Sequence, residues 1–502
     1  MHDYPLLFLI WLVPLASAVL LFAFGPQLRS WGGPIGAAAI GVAFVAALAE
    51  WGDATVVDGA VRGAHQAVLT WLPGWSFGLQ WDRLSLVWTM IITGVGFLIH
   101  VYSIGYLAGD RAYPRFFAYM NFFVFAMLTL VLSDNFVGLL VGWGLVGLAS
   151  YLLIGWYFER PSAVAAARKA FVINVVGDVG ILYAIFVIVQ HTGSISYADV
   201  FGNVAKLQPD LFVICLGLFI GCAAKSAQVP LHTWLPDAYS YAPAGVTAVM
   251  AGATKAGSLL ALVLSLAALP SGGAAVFAGI ALLILAVLTM TAGNILALAQ
   301  TDIRRLLAYS SIAQMGYILL PFGIGLTYGL ATGILAGLFY AVAYGLMKAG
   351  AFLSADLLAA DAGSSDTARM KGVGGRNPAV GVAFSIFILG LIGVPATAGF
   401  VGKALIFLAG MSTLAWGGVI LALVLAANSA LSLGYYVPLL STVLFSGQSG
   451  EGDGGAPVKA IPLSGTIAVV LLALMTVILG FFPGAITGWL GSASALFPWG
   501  AI

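Results

Sequence analysis

Residues 221–238 read GCAAKSAQVPLHTWLPDA and put a lysine, Lys225, inside an apolar run from about residue 211 to 229. Lipid cannot solvate an ammonium, and a charge at a helix centre costs roughly 2.5–3.5 kcal/mol on insertion scales. Two prolines follow, Pro230 and Pro236. Proline removes a backbone donor and breaks a helix, so this stretch predicts a charged residue beside a broken helix. Residues 393–403, GVPATAGFVGK, repeat the pattern. Here Gly393, Pro395, Gly399 and Gly402 should unwind a turn ahead of Lys403.

Composition sets the environment of both segments. The chain has 502 residues, of which 62% are hydrophobic and 7% charged. A soluble domain carries about 25% charge, so this is a polytopic membrane protein. A net charge of +1 gives no footprint for nucleic acid. Cys215 and Cys222 are too few for a metal site or a disulfide framework and read as small packing residues. With no haem, iron–sulfur, P-loop or dinucleotide signature, the chain is expected to carry no cofactor and no metal. The first apolar run, from Pro5 to Gly25, lacks a basic leader region and reads as a retained helix rather than a signal peptide.

Apolar runs of about 18 residues mark membrane spans. They predict fourteen helices, at 5–25, 34–50, 84–107, 115–133, 135–157, 168–190, 211–234, 243–266, 274–298, 303–322, 329–357, 380–407, 413–444 and 465–489. Residues 51–83, with Pro73 and four tryptophans, read as a surface hairpin or short strands. Loops after odd-numbered helices carry twelve of the 19 lysines and arginines, from Arg29 to Lys459. The opposite loops carry only Arg62, Arg83 and Lys206. The positive-inside rule then places both termini outside.

The remaining four basic residues are Lys225, Lys255, Lys348 and Lys403, all within predicted spans. Acids at depth are scarcer: Asp178 is the clear case, and Asp356 sits near a helix end. Static ion pairs cannot neutralise all four amines. A desolvated ammonium gives up its proton more readily than one in water, which is the requirement of a proton relay. Snorkelling to an interface is the competing reading and suits Lys348 best. Lys225 and Lys403 lie five spans apart. An odd separation gives their surroundings opposite topology, as in inverted-repeat transporters.

From about Asp82 to Leu444 the chain resembles the antiporter-like subunits of respiratory complex I and of Mrp cation/proton antiporters. RFFAYMNFFVFAMLTLVLSDNFVGLLVGW (115–143) and KAFVINVVGDVGIL (169–182) look like the L type, and the M type shares KSAQVPLHTWLPDA. APAGVTAVMAGATKAG (242–257) and the segment from Arg376 to Leu408 read more like the N type. The resemblance implies an all-α fold of about fourteen helices with two inverted five-helix repeats, each holding a broken helix. It divides the chain into N-terminal helices with an external hairpin (1–114), a first repeat (115–266), a second (274–444) and a C-terminal helix (465–502). It also implies a polar axis through Lys225, Lys255, Lys348 and Lys403, with Asp178 in the L-type position. Tyr344 stands where the L and M types have a histidine near Lys348, and Val175 where an arginine precedes Asp178. The family's GWEG glutamate falls at Gly144, within VGWGLVGL. An L-type subunit would also be expected to continue past residue 502 into a lateral helix and anchor.

Weaker signals complete the reading. His232 and Asp237 match an H-x4-D acyltransferase spacing, which the helix break explains better. Asn135 and Asp302 look like helix caps. His100 reads as a hydrogen-bonded core histidine or a relay member. Ser310, Ser311 and Gln314 could hold water near the axis. The leading expectation is a proton-translocating, non-redox membrane subunit of a complex I-like oxidoreductase in a bacterial or archaeal cytoplasmic membrane. Its partners would be other membrane subunits, lipid and protons. The alternatives are an antiporter or inorganic-carbon uptake subunit of the same fold, or a structural subunit whose proton path has decayed.

Overall fold

The computed structural model describes residues 5–51, 64–72, 75–252, 273–445 and 461–490. Among the described residues helices form where the sequence predicts spans, and of the span expected at 243–266 the part after Gly252 lies outside them. The first helices are α1 (Pro5–Leu28), α2 (Gly32–Ala49), α3 (Arg83–Tyr106, with one π turn at Ile91–Val95), α4 (Tyr113–Leu132), α5 (Phe136–Ile154) and α6 (Pro161–Thr192). After α7 (Leu211–Lys225) come two short helices, α8 (Leu235–Tyr241) and α9, described over Ala244–Gly252. The chain continues with α10 (Gly273–Leu298), α11 (Ile303–Tyr328), α12 (Ala331–Ala362), α13 (Pro378–Ile392), α14 (Ala398–Met411), α15 (Trp416–Leu444) and α16 (Leu463–Phe481). Among the described residues eleven helical stretches are long and apolar enough to cross a membrane, Leu6–Ala49 counting once. The chain is a multi-pass membrane protein.

The expected hairpin is present: β1 (Ala64–Leu72) pairs antiparallel with β2 (Trp75–Trp81). Leu79 bridges to Ser133, and Asn135 bridges to Ser196. The hairpin and the turns after α4 and α6 therefore meet on one side of the bundle. On the other, Asp302 bridges to Asp366, joining the turns after α10 and α12. These pairings match the alternation of loops assigned from the basic residues.

Both expected caps form. The Asn135 side chain accepts from Gly138 N at 2.7 Å, and Asp302 accepts from Arg305 N at 2.9 Å. Each satisfies a donor that a helix start leaves unpaired.

Lipid gives apolar side chains little reason to prefer each other, so membrane helices pack through small residues that let backbones approach. Helices α10 and α11 meet this way: a Cβ on Gly316 would lie 2.5 Å from Met290 N, and one on Gly293 would lie 2.4 Å from Ala313 N. Helices α6 and α7 meet through Gly177, Gly180, Gly217 and Gly221. That contact seats Lys225, at the end of α7, beside the α6 turn that carries Asp178. Helices α11 and α12 are almost wholly buried, whereas α6, α10 and α15 turn apolar faces outward.

Gly316→Ala should destabilise the fold by about 1–3 kcal/mol, the usual cost of overpacking. Gly375→Ala, where an added Cβ meets nothing within 4 Å, serves as its control. Thermal unfolding in detergent checks this, and equal melting of the two variants would contradict the close-packing account.

Candidate functional site

Two helix breaks organise the site. The first spans residues 226–234, between α7 and α8. Ala227 sits there at φ 57°, a left-handed conformation that side chains rarely adopt. The break is tied down internally. Gln228 N donates to Ala223 O at 2.9 Å, and the Trp234 indole donates to Ala224 O at 3.0 Å. It is also tied to the second half of the chain, because Val229 N donates to Thr289 Oγ1 of α10 at 3.3 Å. Pro230 lies within the break, but Pro236 occupies the first turn of α8. A missing N–H costs nothing at that position, so Pro236 starts a helix where a break was expected.

The second break runs from Gly393 to Thr397, with Gly393 at φ 97° and Ala396 at φ 70°. Pro395 falls inside it. Gly399 does not: it lies in the first turn of α14, where a Cβ would sit 1.9 Å from Gly390 O. Its role there is close packing of the two half-helices rather than unwinding. Gly402 likewise stays helical, against Tyr340.

Each break leaves carbonyls without a helical partner; the lysine at the second break bonds them, and the lysine at the first bonds a carbonyl of the neighbouring α5. Lys403, on the second turn of α14, reaches back to the end of α13. Its Nζ donates to Leu391 O at 2.9 Å and to Ile392 O at 2.8 Å. These are the negative end of the α13 dipole, where a cation is favoured. The amine also sits 4.7 Å from the Tyr317 ring centroid. Lys403 is buried and does not point into lipid.

Lys225 ends α7 and turns to α5. Its Nζ donates to Trp143 O at 2.9 Å and lies 4.6 Å from the Trp143 ring centroid. The same indole donates to Asp178 Oδ1 at 2.6 Å. Trp143 thus joins lysine to aspartate through one residue. Gly144, Gly147, Asp178 and Lys225 line a cavity of about 40 Å³, room for about two or three waters. A Cβ on Gly144 would meet nothing within 4 Å. The space a glutamate would fill stands open.

Lys348 is fully buried on α12 and donates to Ser310 Oγ on α11. It does not snorkel. One turn further along α11, Gln314 accepts from Tyr340 Oη and donates to Leu391 O at 3.5 Å. Leu391 O is also an acceptor for Lys403. Polar groups therefore run from Lys348 through Ser310 and Gln314 to one carbonyl shared with Lys403. Lys255, expected between Lys225 and Lys348, lies outside the described residues. Across that interval, Tyr239 of α8 packs edge-on against Phe352 of α12 at 5.3 Å, and the Lys348 amine lies 5.6 Å from the same ring. Among the described residues the buried Tyr239 hydroxyl has no hydrogen-bond partner, while the Tyr344 hydroxyl lies beside Ser311.

His100 Nδ1 bonds to Gly96 O at 2.7 Å, and Asn121 Nδ2 lies 3.4 Å from His100 Nε2. Among the described residues no hydrogen bond links it to a lysine. Asp237 pairs with Lys169 at 2.7 Å and Arg305 at 3.2 Å, tying α8 to α6 and α11. A carboxylate held by two cations in this way has a structural occupation, and the acyltransferase spacing needs no catalytic explanation. Buried Asp356 is paired with Arg304 and accepts from Tyr102 Oη at 3.1 Å.

Sequence reasoning missed Trp143, although its neighbour Gly144 drew attention. It also missed Asn294, which donates to Tyr317 Oη at 3.1 Å and Asn428 Oδ1 at 3.2 Å and accepts from Tyr435 Oη at 2.9 Å. That cluster begins at the ring beside Lys403. Lone asparagines in the apolar runs of α10 and α15 were the available signal.

Comparison with known proteins agrees with this geometry. The family profile "NADH:quinone oxidoreductase/Mrp antiporter, TM" matches residues 133–429, and "NADH-Ubiquinone oxidoreductase (complex I), chain 5 N-terminus" matches residues 74–117. NADH-quinone oxidoreductase subunit L of Mycobacterium tuberculosis is 38% identical over 477 residues, covering 93% of this chain and 73% of that one. Its counterpart from Neisseria meningitidis serogroup B is 33% identical over 521 residues, with 96% and 75% covered. Among solved structures, a chain of the Mrp complex from Dietzia sp. DQ12-45-1b aligns with TM-score 0.82 at 21% identity, covering 98% of this chain and 97% of that one. A chain of respiratory complex I from Thermus thermophilus aligns with TM-score 0.72 at 25% identity, covering 95% and 98%. With its paired helix breaks and buried lysines, the chain belongs to the NADH:quinone oxidoreductase/Mrp antiporter transmembrane family.

Proposed function

We propose that the chain is a proton-translocating membrane subunit of a complex I-like assembly, driven by redox chemistry held in other subunits. The observation that carries this reading is the run from Lys348 through Ser310 and Gln314 to the Leu391 carbonyl shared with Lys403. Protons move along such a run when each group can both hold and release one. Serine hydroxyls and neutral lysine amines qualify, whereas the Gln314 amide and the Leu391 carbonyl only hold the geometry, so the proton crosses their interval on intervening water. The first half supplies Lys225 with Asp178, and Lys255 is the link between halves. The two halves, 115–266 and 274–444, act as inverted repeats, each with its break in the fourth helix. Both termini face outward from a bacterial or archaeal cytoplasmic membrane, and the assembly's other membrane subunits cover the outward apolar faces.

A second reading, a Mrp-type cation/proton antiporter subunit, draws on the same family and on fold likeness. Gly144 favours a third, a first repeat that no longer conducts.

Lys225→Ala and Lys403→Ala should each abolish or greatly reduce proton pumping by the reconstituted native assembly while leaving its composition intact. Acidification of the proteoliposome lumen, normalised to redox turnover, checks this. Pumping at the wild-type ratio in either variant would refute that lysine's role. Pumping that needs a sodium gradient, with no redox partner in the purified assembly, would select the antiporter.

Gly144→Glu should fold normally, because the cavity receives its side chain. It should also change the pumping rate by placing a carboxylate beside the Lys225 amine. An unchanged rate together with a pumping defect in Lys403→Ala would mean that the first repeat is silent.

A further inference from the structure

A groove of about 920 Å³ lies apart from the lysines, between the C-terminal end of α1 and the turn joining α3 to α4. Three exposed arginines, Arg29, Arg111 and Arg115, stand on its rim. Among the described residues none of them is ion-paired to a carboxylate. Asp110 shares the rim, but its Oδ1 accepts the backbone N–H of Ala112 at 2.7 Å. Arg115 is steadied by the Trp156 ring, 5.3 Å from its guanidinium carbon. Arg29 sits at φ 41° in the turn between α1 and α2, a left-handed conformation that a side chain rarely adopts. Such strain persists where surrounding structure holds it, and it collects at ligand clamps.

Below the rim the walls become apolar. Leu21 and Phe22 of α1 line the groove on one side, with Phe22 65% exposed on the outer flank of the helix and stacked on Tyr119 at 6.4 Å. The back is closed, because Gly25 and Gly32 let Pro114 come close: their added Cβ atoms would lie 3.1 and 2.8 Å from it. The groove is thus cationic at one end, apolar at the other, and open along a lipid-facing helix. Arginine matches the planar geometry of phosphate oxygens with paired donors. Basic pockets between helices at the membrane–water boundary recognise anionic headgroups.

We infer that this groove binds an anionic phospholipid, its phosphate among Arg29, Arg111 and Arg115 and an acyl chain along the Leu21–Phe22 flank. Free phosphate would use the rim alone and would leave the apolar half of the groove without an occupant. All three arginines belong to the side of the protein rich in lysine and arginine, which is also the side expected to meet an anionic leaflet.

The test is native mass spectrometry on the full-length chain released from phosphatidylcholine nanodiscs, with and without one-fifth phosphatidylglycerol. The chain should retain phosphatidylglycerol in preference to phosphatidylcholine, and should release it as salt rises. Affinity should fall about fivefold for each arginine replaced by glutamine. The triple variant should lose the preference, and Arg168→Gln, at an exposed arginine outside the groove, should keep it. If the triple variant does not purify as a monodisperse protein, the three single variants carry the comparison. Retention unchanged in the variants would overturn the inference. So would displacement of the lipid by inorganic phosphate at matched concentration, which marks a free-anion site. Cross-linking of Arg111→Cys to another subunit in the native assembly would assign the groove to a protein partner instead.

Discussion

A buried ammonium must find oxygen, and in this protein it finds backbone oxygen. In an intact membrane helix each inner carbonyl already accepts from the N–H four residues on, so a lysine must share such an oxygen or find one that a break has released. Breaking a helix releases some, and the end of α13 gives Leu391 O and Ile392 O to Lys403. At the first break the solution differs. Lys225 closes α7 and crosses to the Trp143 carbonyl of α5, supported by the face of the same indole. The Lys403 amine thus rests on uncharged carbonyls, which hold it less firmly as a cation than a carboxylate would, while Lys225 combines a carbonyl with the Asp178 carboxylate that shares its cavity. A relay needs that balance.

The second constraint is distance. Lysine side chains bridge only a few ångströms, so the helices must be pulled together, and glycine does this without leaving cavities. Gly177 and Gly221 join α6 to α7 and bring Asp178 to the cavity it shares with Lys225. Gly293 and Gly316 fix α10 against α11, the helix that carries Ser310 and Gln314. Asp237, held by Lys169 and Arg305, locks the second half of the first break against both halves of the chain. Beside the break, the cavity next to Lys225 stays open at Gly144 of α5.

Much of this was legible in the sequence because the signals are strong. Among the described residues apolar runs marked the long helices, basic residues sorted the loops, and a lysine beside proline and glycine marked each break. The details that escaped are those decided by neighbours distant in sequence. Pro236 and Gly399 looked like breakers but occupy first turns, where proline is harmless and glycine allows close approach. Trp143 carried no charge to attract notice, yet it touches both Lys225 and Asp178. The Asn294 cluster depends on α10, α11 and α15 converging, which no local pattern encodes.

The central claim is that one continuous polar route links the buried lysines. A structure of the native assembly at a resolution that shows ordered water tests it most directly. The account predicts water or polar side chains joining Lys225, Lys255 and Lys348, with the Tyr239 hydroxyl bonded to that water. It also predicts the Ser310–Gln314–Leu391 connection to Lys403 intact. An apolar block between Lys225 and Lys348, with the Tyr239 hydroxyl left without a partner, would contradict it.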